Sequence, residues 1–470
     1  AAGDPRIRLC RADPAEACGD FLASLTPGDT LRPHTLAGFA LAREEHPDAV
    51  LMTCDEDTAW PRRDPCFRPI FSPDRLRSFE AIGGLVMLRR DRVLAVGGAR
   101  RGLGTLTWYD LLLRVAETAD PASLCHVPRI LLHRGGMEGK PPESALRRVL
   151  IEHLQRRRVP AEVDVSGGRA RIRYAVPDPA PLVSVIVPTC DQPALLHRCV
   201  EGVLGATDYS AIELLIVDNR SVEATTRALL AQLAADPRVR VLAYPHPFNY
   251  AAMNNRAVAE ARGELVLLLN DDIAVREPGW LREMVGQALR PEVGAVGAKL
   301  LYGDGTIQHA GVVTGIGGVA GHIFRGFPAD APGHDCRLQL VQALSAVTGA
   351  CMLLRRNIYQ AAGGMDEANL PVSFNDIDLC LRLRGMGYLV IWTPHAVLHH
   401  LESATRGADA RPENIARAKR EAAFMAESWG AALGHDPYYS PNLTLAAEDC
   451  GLAFPPRISR PERVGRSAAG

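Results

Sequence analysis

Two adjacent carboxylates, Asp271 and Asp272, follow Leu265-Val266-Leu267-Leu268-Leu269 and Asn270. Five apolar residues without polar alternation read as a strand buried on both faces, and here the run stops at hard oxygen ligands. Such a strand end suits magnesium or manganese carrying a phosphorylated substrate better than zinc, which prefers nitrogen and sulfur. Taken alone, the pair would read equally as a solvated turn that caps the next helix. A third acid, Asp376 in Phe374-Asn375-Asp376-Ile377-Asp378, opens a helix whose buried side carries Ile377, Cys380 and Leu381. In isolation it serves the helix dipole; beside a cation and a leaving diphosphate it is a carboxylate able to take a proton. His399 and His400, following a short strand at 389–392, offer imidazole to the same site, although a lone His on a strand end is ordinarily a packing residue.

The elements that must position these groups begin at Pro181. Strand-like runs at 183–187, 213–217, 239–243 and 265–269 alternate with segments of helical spacing. Leu195, Leu196, Cys199, Val200, Val203 and Leu204 form one apolar helix stripe; 224–233 and 250–262 behave alike, the latter with Gly263 in a C-cap position. Four strands and three crossovers predict a parallel sheet, with ligands beyond the carboxyl ends of the strands. Those ends are polar: Pro188-Thr189-Cys190-Asp191, Asp218-Asn219-Arg220-Ser221, Phe248-Asn249-Tyr250 and Asn270-Asp271-Asp272. No glycine-rich phosphate loop follows the first strand, so neither a dinucleotide fold nor a P-loop is indicated. Gln308-His309-Ala310-Gly311 leads into a Gly/Pro-rich stretch up to Gly333, either a lid or a plain surface connection.

With 470 residues, 47% of them hydrophobic, the chain has room for two to three domains. A net charge of -1 gives no reason to expect a nucleic-acid partner. The eleven cysteines are scattered without a C-x-x-C pair, which predicts reduced thiols and a cytoplasmic protein. No apolar run reaches the roughly 18 residues of a membrane span, no signal pattern opens the chain, and the missing initiator Met reads as a fragment.

These motifs together resemble glycosyltransferase family 2, in its rhamnosyltransferase-like branch, over about 181–407. The residues that carry the likeness are Val185 to Thr189, Val217-Asp218-Asn219, Phe248-Asn249-Tyr250 with Asn254-Asn255, Asn270-Asp271-Asp272, Gly363-Gly364-Met365-Asp366-Glu367, Asn375 to Leu379, and His400 with Glu402-Ser403. The resemblance implies an α/β protein of GT-A fold, a mostly parallel sheet flanked by helices. It implies a nucleotide-sugar pocket of Pro188, Thr189, Asp191, Asp218, Asn249, Asn254 and Asp271, with Asp218 reading the base and Asp271 the ribose. Asp272 and His400 would hold a divalent cation, Mg or Mn, with His399 the fallback, and Asp376 would be the catalytic base. Asn270 departs from the family's DxD signature, and Asn375 stands where an acid is common.

The implied reaction moves a hexose or deoxyhexose, with inversion, from a nucleoside-diphosphate sugar to a glycan or lipid-linked acceptor. Its setting would be bacterial surface polysaccharide assembly, in the cytoplasm with peripheral contact at the inner membrane face. Sugar transfer passes through an oxocarbenium-like state, so a cation for the diphosphate and a base for the acceptor hydroxyl are the required groups. A sugar nucleotidyltransferase would carry a basic glycine-rich loop after the first strand, and a processive synthase would carry membrane spans; neither is present. An inactive sugar-binding or scaffolding protein is the remaining alternative.

Leu88-Arg89-Arg90, Ala95 and Gly97-Gly98 recur as Leu354-Arg355-Arg356, Ala361 and Gly363-Gly364, at a shift of 354 - 88 = 266. With a two-residue gap, Asp110 and Arg114 match Asp378 and Arg382. Residues 1–135 therefore read as a partial, degenerate GT-A-like domain in which Trp108 replaces Asp376 and Gly28 replaces Asp271, or as a copy lacking its front half. The acidic run Cys54-Asp55-Glu56-Asp57 reads as a solvated loop ahead of the alternative, a metal site. A linker with a small helix and hairpin is expected over 136–180, the catalytic domain over 181–410, and a helix with a disordered tail over 411–470.

Overall fold

The computed structural model describes residues 17–58, 63–70, 72–78, 83–135, 141–401 and 411–458. The first third builds β1 (Phe21–Ala23), β2 (Thr30–Leu31), α1 (Thr35–Glu45), β3 (Leu51–Thr58), α2 (Pro73–Arg77), β4 (Val86–Arg89), α3 (Arg90–Ala95), α4 (Thr107–Thr118) and β5 (Leu124–Arg134). Helix α5 (Glu143–Arg156) and the hairpin β6 (Ala161–Ser166) with β7 (Arg169–Tyr174) follow. The helix and hairpin are those expected over 136–180, and they pack onto the N-terminal core instead of hanging free. Leu146, Val149, Leu150 and Leu154 make one stripe on α5, which must be covered, and it shares a core with Val163, Ile172, Leu51, Leu88 and Leu112.

Residues 181–401 carry β8 (Val183–Thr189), α6 (Pro193–Gly205), β9 (Ile212–Asp218), α7 (Ala224–Leu233), β10 (Val239–Ala243), α8 (Tyr250–Glu260), β11 (Leu265–Leu269), β12 (Ile273–Val275) and α9 (Trp280–Ala288). Then come β13 (Val293–Leu301), β14 (Ile307–His309), β15 (Val312–Thr314), β16 (Ala320–His322), β17 (Gln342–Leu344), β18 (Cys351–Arg355), α10 (Arg356–Ala361), α11 (Asn375–Gly385) and β19 (Leu389–His400). The main sheet runs β10-β9-β8-β11-β18-β13-β19-β12.

It is parallel from β10 to β11, as the alternating periods predict, and becomes mixed beyond. The reason lies in the chain path. After β13 ends at the rim, the stretch 302–350 adds β14 to β13 and β17 to β19 and then returns to that rim, so β18 starts there and runs back, antiparallel to both neighbours. Thr348, Gly349 and Ala350 are thereby delivered beside the acid pair, and Asn270 N–H donates to the Ala350 carbonyl at 3.0 Å. Gly263 is not a C-cap: α8 ends at Glu260 with Ala261 extended, and a Cβ on Gly263 would lie 2.6 Å from the Leu182 carbonyl oxygen. The glycine is required by the close approach of β11 to β8.

Helix α12 (Pro412–Gly434) belongs to the same unit, because Met425 and Leu433 enter the core built by Ile377, Leu379 and Trp392. Of the tail expected from 455 onward, 459–470 lies outside the described residues, as do Glu402, Ser403 and Gly407 of the sequence reading.

The N-terminal sheet runs β1-β4-β3-β5-β2, and sense for sense this repeats β11-β18-β13-β19-β12. Side chains repeat too. Arg114 pairs with Asp110 and donates to the Val96 and Gly98 carbonyls, as Arg382 pairs with Asp378 and donates to those of Ala362 and Gly364. Thr30 faces His133 as Ala274 faces His399, so Gly28 stands where Asp272 does, one residue from the sequence register, and Arg134 stands where His400 does.

The acidic run is strand, not solvated loop. Asp55, Glu56 and Asp57 are buried in β3 because each has a partner: His126 at 2.8 Å, Arg68 at 2.9 Å, and His133. Arg68 also joins Arg75 around Asp335, which the 323–341 loop of the C-terminal unit projects into the N-terminal unit. Beside it His334 stacks on Phe67. Asp335→Asn leaves two buried guanidinium groups under-compensated and is expected to destabilise the fold by about 3–5 kcal/mol. Chemical denaturation checks this, and a change under about 1 kcal/mol would assign Asp335 to the weak surface class.

Glu117 of α4 ties α5 down. Burial raises its carboxyl, but hydrogen bonds from His153 and Arg156, each at 2.7 Å, prevail and pull it to about 2. Arg77 donates to His153 Nε2, so Nδ1 carries the proton toward Glu117 and the charged partner is Arg156. A folded value below the unfolded one, about 4.3, stabilises above that pH and is lost on acidification toward about 2. The denaturation midpoints of wild type and Glu117→Gln are expected to differ at neutral pH and converge through that window.

Candidate active site

Three strand ends and one helix start meet at the rim. β12 pairs Ile273 with His400, and the Leu401 N–H donates to the Asp272 carbonyl at 2.9 Å, which places the last residue of β19 against the acid pair. His400 Nε2 lies 3.1 Å from Asp272 Oδ1, with 8% of Asp272 and 5% of His400 exposed. Asp272 Oδ1 is sealed and accepts no hydrogen bond. Alternation along β19 turns His399 the other way, onto the Tyr302 carbonyl, so His400 is the imidazole at the site.

Asp376 occupies the first turn of α11, after Phe374 in the left-handed region at φ 62°. Its Oδ2 accepts from Gly349 N–H and its Oδ1 from Ile377 N–H, both at 2.8 Å. The approach to this turn is held from two sides. Asn375 donates to the Leu370 and Val372 carbonyls, and buried Glu421 of α12 accepts from Val372 and Ser373 N–H. Neither α12 nor Glu421 carried a sequence signal for this task. Tyr250 OH lies 2.9 Å from the Gly349 carbonyl and 3.2 Å from Asn270 Oδ1, and burial, then Asp376, keep its phenol protonated.

Asp272, His400 and Asp376 line one cavity of about 310 Å³, together with Tyr250, Gln308 and His322. The last three were not singled out as site residues, although their motifs were. A larger depression of about 700 Å³ against Gly363, Gly364 and Met365 has both its carboxylates engaged, since Asp366 caps Ala368 and Asn369 and Glu367 accepts from Asn255.

The expected nucleotide residues fall in two groups. Pro188 and Thr189 end β8 in register with Val217 and Asp218 of β9, and Thr189 Oγ1 donates to Asp271 Oδ2 at 2.7 Å. Burial and then Asp272 push the Asp271 carboxyl up to about 6, while the Thr189 bond opposes them. Asp218 accepts from Ser221 N–H, and Asp191, at φ 47°, accepts from Val222 and Glu223 N–H, which lowers its carboxyl and braces the loop after β9. Asn249 and Asn254 are outside this group. Asn249 caps α8 and donates to the Glu367 carbonyl; Asn254 is fully buried and donates to the Tyr250 carbonyl. Both brace the scaffold because helix starts and buried amides need partners.

Among the described residues no group of three or more His, Cys, Asp or Glu could hold a metal, so Asp272 and His400 stand as a pair. No helix of the described residues is long and apolar enough to cross a membrane.

Residues 184–363 match the family model "Glycosyl transferase family 2". The chain is 42% identical over 97% of its length to the uncharacterized protein y4gI of Sinorhizobium fredii, covering 53% of that protein. It is 42% identical over 93% of its length to the O-antigen biosynthesis protein RfbC of Myxococcus xanthus, covering 35% of it. It thus spans about half and about a third of these two relatives. The N-acetylglucosaminyl-diphospho-decaprenol L-rhamnosyltransferase of Mycobacterium tuberculosis is 27% identical over 49% of this chain and 80% of its own. The family match spans β8 to β18 and so covers Asp272 but ends before Asp376 and His400; with the parallel half-sheet running into a mixed one, it shows that this chain carries a family 2 glycosyltransferase domain of GT-A fold.

Proposed function

We propose that this domain moves a hexosyl or deoxyhexosyl group, with inversion, from a nucleoside-diphosphate sugar to a hydroxyl of a glycan or lipid-linked acceptor, in bacterial surface polysaccharide assembly. One observation carries the reading: Asp272, His400 and Asp376, separated by up to 400 - 272 = 128 residues, border a single cavity. Asp376 takes the acceptor hydroxyl's proton as the new bond forms. A base on the face opposite the diphosphate gives inversion without a covalent intermediate. Thr189, Asp191, Asp218 and Asp271, at the ends of β8, β9 and β11, are the groups offered to the nucleoside.

The donor pair fits a divalent cation. Two ligands at right angles on one magnesium, each at about 2.1 Å, are about 3 Å apart, and the sealed oxygen of Asp272 is 3.1 Å from His400 Nε2. One carboxylate, one imidazole, waters and diphosphate oxygens suit Mg or Mn; when bound, the cation supplies positive charge to the departing diphosphate. The names of the Myxococcus and mycobacterial relatives support the polysaccharide setting, and the latter's lipid carrier supports a peripheral position at the inner membrane face.

The N-terminal unit is read as an eroded GT-A half without catalysis of its own. Gly28, Trp108 and Arg134 stand for Asp272, Asp376 and His400 there, and its ion pairs grip the 323–341 loop instead. The test is incubation of the protein with Mn and a panel of nucleotide sugars, reading free nucleoside diphosphate. Slow, Mn-dependent release from one donor is expected; tight binding of sugars with no release from any donor would favour the scaffold reading.

A further inference from the structure

His322 lines the cavity and has no task in the chemistry just outlined. It ends β16, and its Nδ1 lies 3.1 Å from the backbone carbonyl oxygen of Gln308. A carbonyl only accepts, so Nδ1 carries the hydrogen and Nε2 of the neutral ring carries a lone pair. The ring cannot turn freely. It packs edge to face against His309 with centroids 4.7 Å apart, and His309 is itself fully buried with Nε2 3.4 Å from the Thr348 N–H. Burial, reinforced at His309 by His322, holds both imidazoles below their ordinary values, and the Gln308 carbonyl sets the tautomer of His322.

His322 Nε2 has no protein partner among the described residues, and it is not sealed from solvent, so it opens into the cavity. An unpartnered lone pair there calls for a donor from the ligand. Asp376 cannot provide one, being an acceptor already engaged by two backbone N–H groups. A hydroxyl can. Position separates the two candidate hydroxyl sources. Phe248, 52% exposed, stands at the open side of the cavity, whereas half-buried His322 is anchored to Gln308, 4% exposed, and lines the same cavity as the buried Asp272 and His400. On the transfer reading, a sugar tethered through its diphosphate to Asp272 lies on this inner side, and an acceptor enters past Phe248.

Building on the transfer reading above, we propose that His322 Nε2 accepts a hydrogen bond from a hydroxyl of the sugar being transferred and thereby selects the donor.

The experiment measures binding of the nucleoside diphosphate and of the nucleotide sugar by calorimetry, and donor hydrolysis without acceptor. His322→Asn keeps an amide donor for the Gln308 carbonyl and removes Nε2. It is expected to weaken nucleotide-sugar binding about tenfold and to leave the bare nucleoside diphosphate unchanged. His322→Gln, which can place an oxygen near the lost nitrogen, is expected to recover part of it. A set of deoxy donors on wild type requires no variant to fold: one member should lose the same factor and be indifferent to His322→Asn. Equal weakening of diphosphate and nucleotide sugar, a change confined to the acceptor KM, or deoxy donors that all bind like the parent would each overturn the assignment. Wild type that binds nucleotide sugars with this selectivity yet releases no diphosphate would overturn the transfer reading and leave the His322 contact standing.

Discussion

Asp376→Asn is expected to lower transfer on the order of 10³-fold while nucleotide-sugar affinity stays within several-fold. The base acts only as the acceptor hydroxyl gives up its proton, so its loss falls on the chemical step and not on the ground state. The site also dictates the control. Both Asp376 oxygens accept backbone N–H bonds, from Gly349 and Ile377, and an amide in that place must turn its NH₂ toward one of those donors. A modest fall in the unfolding midpoint is therefore expected. Single-turnover rates and calorimetry on the same preparation separate the effects, and Asp376→Ser, which keeps one acceptor but no base, should be as inactive. Parallel loss of rate and nucleotide affinity would count against Asp376 as base and would assign it to bracing the 348–350 turn.

What the sequence made legible follows from how far each signal reaches along the chain. The parallel half of the sheet was legible because β8, β9, β10 and β11 are local runs rich in apolar residues, joined by the helices α6, α7 and α8. The acid pair and Asp376 were legible because a strand end and a helix start carry their chemistry in consecutive residues. The return strand β18 carried no hint of its direction, since that depends on the path of 302–350. His322, Gln308 and Glu421 were missed for the same reason: their roles come from a hairpin and a terminal helix folding back over the rim.

The scaffold bonds of Asn249 and Asn254 were not legible, for a cap and a buried amide share residue type with a ligand. Cys54 to Asp57 looked solvated because acids ordinarily are, and their partners, Arg68, His126 and His133, stand 12 to 76 residues away. The repeat, by contrast, was visible in the sequence as a constant shift, and the strand order of the two sheets now gives it a register.

Asp272→Ala is expected to remove the cation-dependent part of nucleotide affinity and to lower transfer on the order of 10³-fold, since neutralisation of the leaving diphosphate is worth several kcal/mol. The cation-independent part, contributed on the proposed reading by the ends of β8 and β9, should persist. A Mn titration in the presence of nucleoside diphosphate, followed by calorimetry, reads both parts. Stability should move the other way. Without a ligand, Asp272 seals an unbonded carboxylate oxygen beside Asp271, whose own carboxyl is pushed up to about 6 by burial and by that neighbour. Removing the side chain relieves both costs, so the ligand-free unfolding midpoint is expected to hold or rise while function falls, as sites kept for chemistry rather than stability behave. His400→Ala should weaken Mn binding less, because the retained carboxylate carries the charge. An Asp272 variant that unfolds earlier and still shows wild-type Mn dependence would make the carboxylate a structural partner of His400, and the cation would have to be sought elsewhere.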